Sequence, residues 1–133
     1  SETGQMEPIQ LSMLLEQLAD EFYPLFSEKE LACSVEIEHH LVVLGDPDKL
    51  ARVFDNVLRN AVNYSVRGGR VEIHAARSEA RAAIVIRNEG LEIPESLGLA
   101  IAKEIVELHG GTIRAESNGR FTSFIISLPL YQG

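Results

Sequence analysis

A chain of 133 residues, 45% apolar and 24% charged, has the size and composition of one globular domain with its own core. Its net charge of −8 excludes nucleic acid as the main partner, because a phosphate backbone requires clustered Lys and Arg. Cys33 is the single cysteine, which excludes an internal disulfide and a thiol-rich zinc site and suits a reducing cytoplasm; no apolar run reaches the ~20 residues of a membrane helix, so no direct membrane contact is expected.

Residues 1–8 read as a linker or tail, and 9–133 as the domain. From Leu11 to Phe26, apolar residues at 11, 14, 15, 18, 22 and 25/26 keep a helical period that Pro24 is expected to break near its end. Cys33, Val35 and Ile37 alternate with polar neighbours, and Leu41 to Leu44 follow, which predicts two short strands. Asp46 is placed to cap a long helix, with Pro47 in its first turn. Leu50, Val53, Phe54, Val57, Leu58, Ala61 and Val62 form the buried stripe of that helix, and Arg52, Asp55, Asn56, Arg59, Asn60 and Asn63 fill the opposite face. Asn is a mediocre helix former, so three on one face ask for a reason beyond solvation. Asn56 and Asn60 lie at i and i+4, where two carboxamides can reach one bound object.

Beyond Gly68-Gly69, Val71, Ile73 and Ala75 alternate and Ala82 to Ile86 form a nearly continuous apolar run, which predicts a hairpin. A loop from Glu89 to Pro94 leads to a helix from Leu97 to His109, with Ser96 as N-cap, Gly110 as C-cap, and Leu97, Ile101, Ile105 and Leu108 facing inward. Gly98 inside its first turn points to close backbone packing or a ligand near the helix start. Thr112 to Glu116 and Phe121 to Leu128 pair around the Asn118-Gly119 turn. The order α, ββ, α, ββ, α, ββ predicts an α/β fold, a two-layer sandwich with a mixed sheet and three main helices on one face.

Three stretches carry a resemblance. FDNVLRNAVNYS (54–65), IRNEGLEIP (86–94) and LGLAIAKEIVELHGGTIRAES (97–117) resemble the N box, the adenine-binding G1 box, and the lid end with its following helix in sensor histidine kinases, within the superfamily shared with DNA gyrase and Hsp90. GDPDKLARVF (45–54) is particularly like the vancomycin-resistance sensor kinases. The resemblance covers nearly the whole chain and implies the Bergerat-type sandwich. It implies ATP and Mg²⁺ as cofactors, with Asn60 and Asn56 as metal ligands, and Asn56, Asn60, Asn63, Tyr64, Asn88, Gly90, Ile93, Leu97, Gly98 and Leu99 as the nucleotide-binding set. Neutral Asn oxygens suit a hard cation whose charge is balanced by phosphate. Tyr64 offers an aromatic surface to adenine, or a core side chain.

The departures from the family are equally specific. Asn88 stands where the family has the aspartate that accepts a hydrogen bond from the adenine amino group; its carbonyl oxygen accepts the same bond without charge, hence more weakly. Asn63 replaces a basic residue, Leu91-Glu92 replaces the segment with the second G1 glycine, and between Pro94 and Leu97 about twenty lid residues are reduced to Glu95-Ser96. Loss of that loop removes phosphate-cradling backbone amides while leaving the adenine pocket. An engineered deletion, a segment absent from this sequence and a naturally degenerate kinase all fit.

No residue of this chain is expected to be catalytic by itself. Asn56 occupies the position of the general-base glutamate of gyrase-like ATPases and cannot accept a proton, which disfavours hydrolysis. His39, His40, His74 and His109 lack the H-E/D-x-x-x-P context of a phosphoacceptor helix. The resemblance therefore implies the ATP-binding part of a membrane-bound sensor kinase, on its cytosolic side and inactive alone. The dimerisation domain carrying the phosphoacceptor histidine and a response regulator are its implied partners, and the domain by itself is expected to be a monomer. An anti-sigma-factor-like serine kinase and a nucleotide-free interaction module are the alternatives.

Overall fold

The computed structural model describes residues 5–90 and 99–133. Strand β1 (Glu7–Gln10) leads into helix α1 (Leu11–Glu28), followed by β2 (Ala32–Ile37), β3 (Val42–Gly45), α2 (Pro47–Tyr64), β4 (Arg70–Ser78), β5 (Arg81–Glu89), α3 (Leu99–Leu108), β6 (Thr112–Ser117) and β7 (Phe121–Pro129). Five strands form a sheet in the order β2-β4-β5-β7-β6, with β2 parallel to β4 and the other neighbours antiparallel. Strict alternation sorts its two faces. Val71, Ile73, Ala75, Ala82, Ile84, Ile86, Phe124, Ile126 and Leu128 are buried in one core with the apolar stripes of the helices, while Glu72, His74, Val85, Arg87 and Ile125 on the other face are only half-buried. The result is the two-layer α/β sandwich that the element order predicts.

The strongest local signals hold. Asp46 Oδ1 accepts from the backbone N–H of Asp48 (3.0 Å) and Lys49 (3.2 Å), the arrangement that starts α2. All seven residues of the expected apolar stripe of α2 are buried. At the β6–β7 turn Asn118 Oδ1 accepts from the N–H of Arg120 and Phe121, and Gly119 takes φ +89°.

Four expectations are corrected. Pro24 does not end α1, which continues to Glu28: Pro24 and Asp20, whose carbonyl loses its helical donor, both face solvent, while Phe22 and Phe26 anchor the inner side. The two short strands on either side of His39-His40 are present, but they are not the paired neighbours that the ββ order implies. Instead β2 joins β4 in the main sheet, and β3 pairs antiparallel with β1 in a separate two-stranded ribbon. Strand β1 itself has no counterpart in the predicted order, and it crosses the boundary drawn at residue 8, with Glu7 opposite Gly45 and Pro8 opposite Leu44. Finally, Ile101 and Leu108 are 45% and 60% exposed, because α3 buries Ala102, Ile105 and Val106, with His109 buried just past its end, a stripe turned toward the residues that follow Ile101 and Leu108. The expected Ser96 cap and Leu97 start of this helix lie outside the described residues.

Candidate functional site

Helix α2 forms the wall of the site, and both of its ends are pinned. At the N-terminal end, the buried His109 ring, just past α3, accepts from the Asp46 N–H at Nε2 (3.1 Å) and donates from Nδ1 to the Ile105 carbonyl (2.7 Å). These two bonds fix the neutral Nδ1–H tautomer and tie α3 to the cap of α2. At the C-terminal end, Lys29 Nζ donates to the carbonyls of Val62 (2.8 Å) and Asn63 (3.1 Å), placing a cation at the negative end of the helix dipole.

Between these anchors Asn56 and Asn60 meet. Asn60 Nδ2 donates to Asn56 Oδ1 at 3.0 Å, and only 9% of Asn60 is exposed. That bond uses the Asn60 amide nitrogen and leaves its carbonyl oxygen without a hydrogen-bond partner among the described residues, as an oxygen donor one turn from a second carboxamide. No cluster of three or more His, Cys, Asp or Glu able to hold a metal occurs among the described residues, so a cation here would need ligands supplied by the bound molecule.

The end of β5 is docked onto the C-terminal end of α2. Ser65 and Gly90 form an antiparallel bridge, and Val66 N–H donates to the Glu89 carbonyl at 2.9 Å. Gly90 has to be glycine, since a Cβ there would sit 2.1 Å from the Tyr64 carbonyl oxygen. Two residues earlier, Asn88 occupies the buried parity of β5, where Ala82, Ile84 and Ile86 are apolar. Asn88 is wholly buried, and neither its Oδ1 nor its Nδ2 has a hydrogen-bond partner among the described residues. Its register neighbour on β7 is Thr122, 3% exposed, whose Oγ1 is likewise without one among the described residues. Two adjacent unpaired polar side chains in an apolar face cost several kcal/mol unless a ligand or solvent satisfies them, at about 1–3 kcal/mol for each group. Together they offer a donor and acceptor edge of the kind that a heterocyclic base presents.

The remaining expected residues fall around this frame. Tyr64 and Leu99 are half-buried and pack against the core. Asn63 is exposed. Ile93, Leu97 and Gly98 lie outside the described residues. Thr122 is the residue that sequence reasoning missed, although it is the one polar side chain at the inward parity of the run Thr122, Phe124, Ile126, Leu128.

Residues 45–132 match the family model described as histidine kinase-, DNA gyrase B- and HSP90-like ATPase. The chain belongs to this ATPase family. It is 39% identical to the sensor protein VanS of Enterococcus faecium over 91% of this chain and 38% of VanS, and 40% identical to the sensor protein kinase WalK of Staphylococcus aureus over 63% of this chain and 27% of that protein. The chain thus spans well under half the length of these relatives. The alignment with VanS runs over 145 positions, whereas 91% of 133 residues is about 121, so about 24 positions have no counterpart in this chain. In fold it is similar to the catalytic domain of histidine kinase ThkA, with a TM-score of 0.86 and 22% identity over 94% of this chain and 95% of that one; ThkA has also been solved in complex with a response regulator, TrrA. Within the family, the chain is similar in sequence to part of the sensor proteins VanS and WalK and in fold to a histidine kinase catalytic domain.

Proposed function

We propose that this ATPase-family domain binds Mg-ATP between α2 and the β5–β7 edge and presents the γ-phosphate to a histidine on a separate dimerisation domain. The buried, unpaired Asn88 carries this reading. Its Oδ1 is the acceptor for an adenine amino group and its Nδ2 a donor for a ring nitrogen, with the Thr122 hydroxyl beside it as a third polar contact. Gly90 lets the strand end approach α2, and Tyr64 contributes a half-buried aromatic surface next to the Ser65–Gly90 bridge. Asn60 Oδ1 would hold the metal, with Asn56 fixing the orientation of the Asn60 amide and completing the polar wall. Bound Mg²⁺ would supply charge neutralisation at the phosphate oxygens. Asn63, Ile93, Leu97, Gly98 and Leu99 complete the proposed nucleotide set.

The chain contributes binding and orientation, while the nucleophile comes from the partner domain. No base is required here, because a neutral imidazole is nucleophilic near neutral pH. Asn56 cannot take a proton from water, which separates this site from a hydrolase. The two residues Glu95-Ser96 between Pro94 and Leu97 support the reading of a shortened lid, with a weaker hold on the phosphates than on the base. Residues 9–133 are proposed as the catalytic domain, monomeric by itself, of a membrane-bound sensor whose cytosolic part signals to a response regulator; among the described residues no helix is long and apolar enough to cross a membrane.

Titration calorimetry with a non-hydrolysable ATP analogue tests this. Binding is expected to strengthen when Mg²⁺ is added, and Asn60→Ala is expected to remove most of the Mg²⁺ dependence while retaining affinity for adenosine. Binding that ignores Mg²⁺ in both proteins would refute the assignment of the metal site.

A further inference from the structure

The polar face of α2 carries three cations, Lys49, Arg52 and Arg59, and of its two arginines Arg59 is paired with Asp55 while Arg52 stands nearest the start of the asparagine row. Arg52, Asn56, Asn60 and Asn63 lie at i, i+4, i+8 and i+11, within about 80° of one helix face. Arg52 is exposed and has no hydrogen bond or ion pair among the described residues. Most other arginines are engaged: Arg59 with Asp55, Arg67 with Glu30, Arg81 with Ser127, Arg120 with Glu89, and Arg87 over the Phe121 ring. Arg52 shares a small cavity with Asn56 and with Ile101 and Ala102 in the first turn of α3. Asp48 and Glu104 lie on the adjoining surface and neither pairs with it.

The polarity of the site gives this position a meaning. Asn88 and the Ser65–Gly90 bridge place the base-binding end at the C-terminus of α2. A polyphosphate leaving that end passes Asn60, then Asn56, then Arg52, with about 6 Å of helix rise between successive members. The terminal phosphate is therefore the group that comes within reach of the guanidinium, whose planar fork suits two phosphate oxygens. Asn63, at the base end of the row, offers no charge, and its carbonyl is already taken by Lys29.

Resting on the nucleotide-binding reading above, we infer that Arg52 binds the γ-phosphate and makes this site prefer a nucleoside triphosphate to a diphosphate. The test measures dissociation constants for Mg-AMPPNP, Mg-ADP and adenosine with the wild-type chain, Arg52→Gln, Arg52→Lys and Arg70→Gln, each shown to be folded by its thermal melt. Arg70 is an exposed arginine at the start of β4, away from this wall. Arg52→Gln is expected to weaken AMPPNP about tenfold and ADP less than twofold, with adenosine unchanged. Arg52→Lys should recover part of the loss, and Arg70→Gln should match wild type. Equal losses for AMPPNP and ADP, or no loss for either, overturn the role of Arg52. A wild-type chain that binds none of the three overturns the nucleotide site itself, a different failure.

Discussion

Replacing Asn88 by Leu should stabilise the empty domain while abolishing nucleotide recognition. The two side chains have the same branched shape, and the position is wholly buried among Val71, Ile86 and Phe124, so Leu can occupy it with limited rearrangement. The amide buries two groups without partners among the described residues, each costing about 1–3 kcal/mol. Their removal gains about 2–6 kcal/mol, against which stand about 1–3 kcal/mol for the bulkier methyl groups and for leaving Thr122 Oγ1 as it is. The expected net gain is about 1–3 kcal/mol. Unfolding entropy near 2.1 cal/mol/K per residue makes 1 kcal/mol worth about 4 °C in a domain of this length, so Tm should rise by about 4–10 °C. Urea denaturation gives the free energy, and thermal melts with and without millimolar Mg-ADP give the ligand shift. Wild type should melt higher with nucleotide, and the variant should not. A variant less stable than wild type by more than 1 kcal/mol would show that the amide is satisfied in the free domain, and the inference from its burial would fail.

Other substitutions probe neighbouring parts of the site. Thr122→Val preserves shape and removes one unpaired hydroxyl; stability should hold or rise by about 1 kcal/mol while ADP affinity falls severalfold, and unchanged affinity in calorimetry would remove Thr122 from the site. Gly90→Ala drives a methyl group against the Tyr64 carbonyl, so loss of more than about 2 kcal/mol is expected in urea, with a value under 0.5 kcal/mol showing that the bridge yields easily. His109→Leu leaves the buried Asp46 N–H without an acceptor and should cost about 1–3 kcal/mol, read as a shifted urea midpoint at constant slope.

The architecture divides by the range of the interactions behind it. Helix α2, its Asp46 cap, the β4–β5 hairpin and the Asn118-Gly119 turn were legible from sequence because each is specified by residues within a few positions of one another. So was the pairing of Asn56 with Asn60, since helical spacing alone brings them together. Asn88 could be singled out by motif, but its lack of a hydrogen-bond partner among the described residues is a property of the assembled core. The partner of β2 lies across α2 in sequence and that of β1 across α1, and nothing local chooses between these pairings and a β2–β3 hairpin. The rotation of α3 that exposes Ile101 and Leu108 was settled by what α2 and the sheet offer its other side, since Leu, Ile and Ala fit either stripe equally well by period. Thr122 joined the site through register, a relation between β5 and β7 that sequence distance hides. Local chemistry thus determined the elements and the carboxamide wall, whereas strand pairing and burial, which depend on the whole core closing at once, decided which polar groups were left without a partner among the described residues.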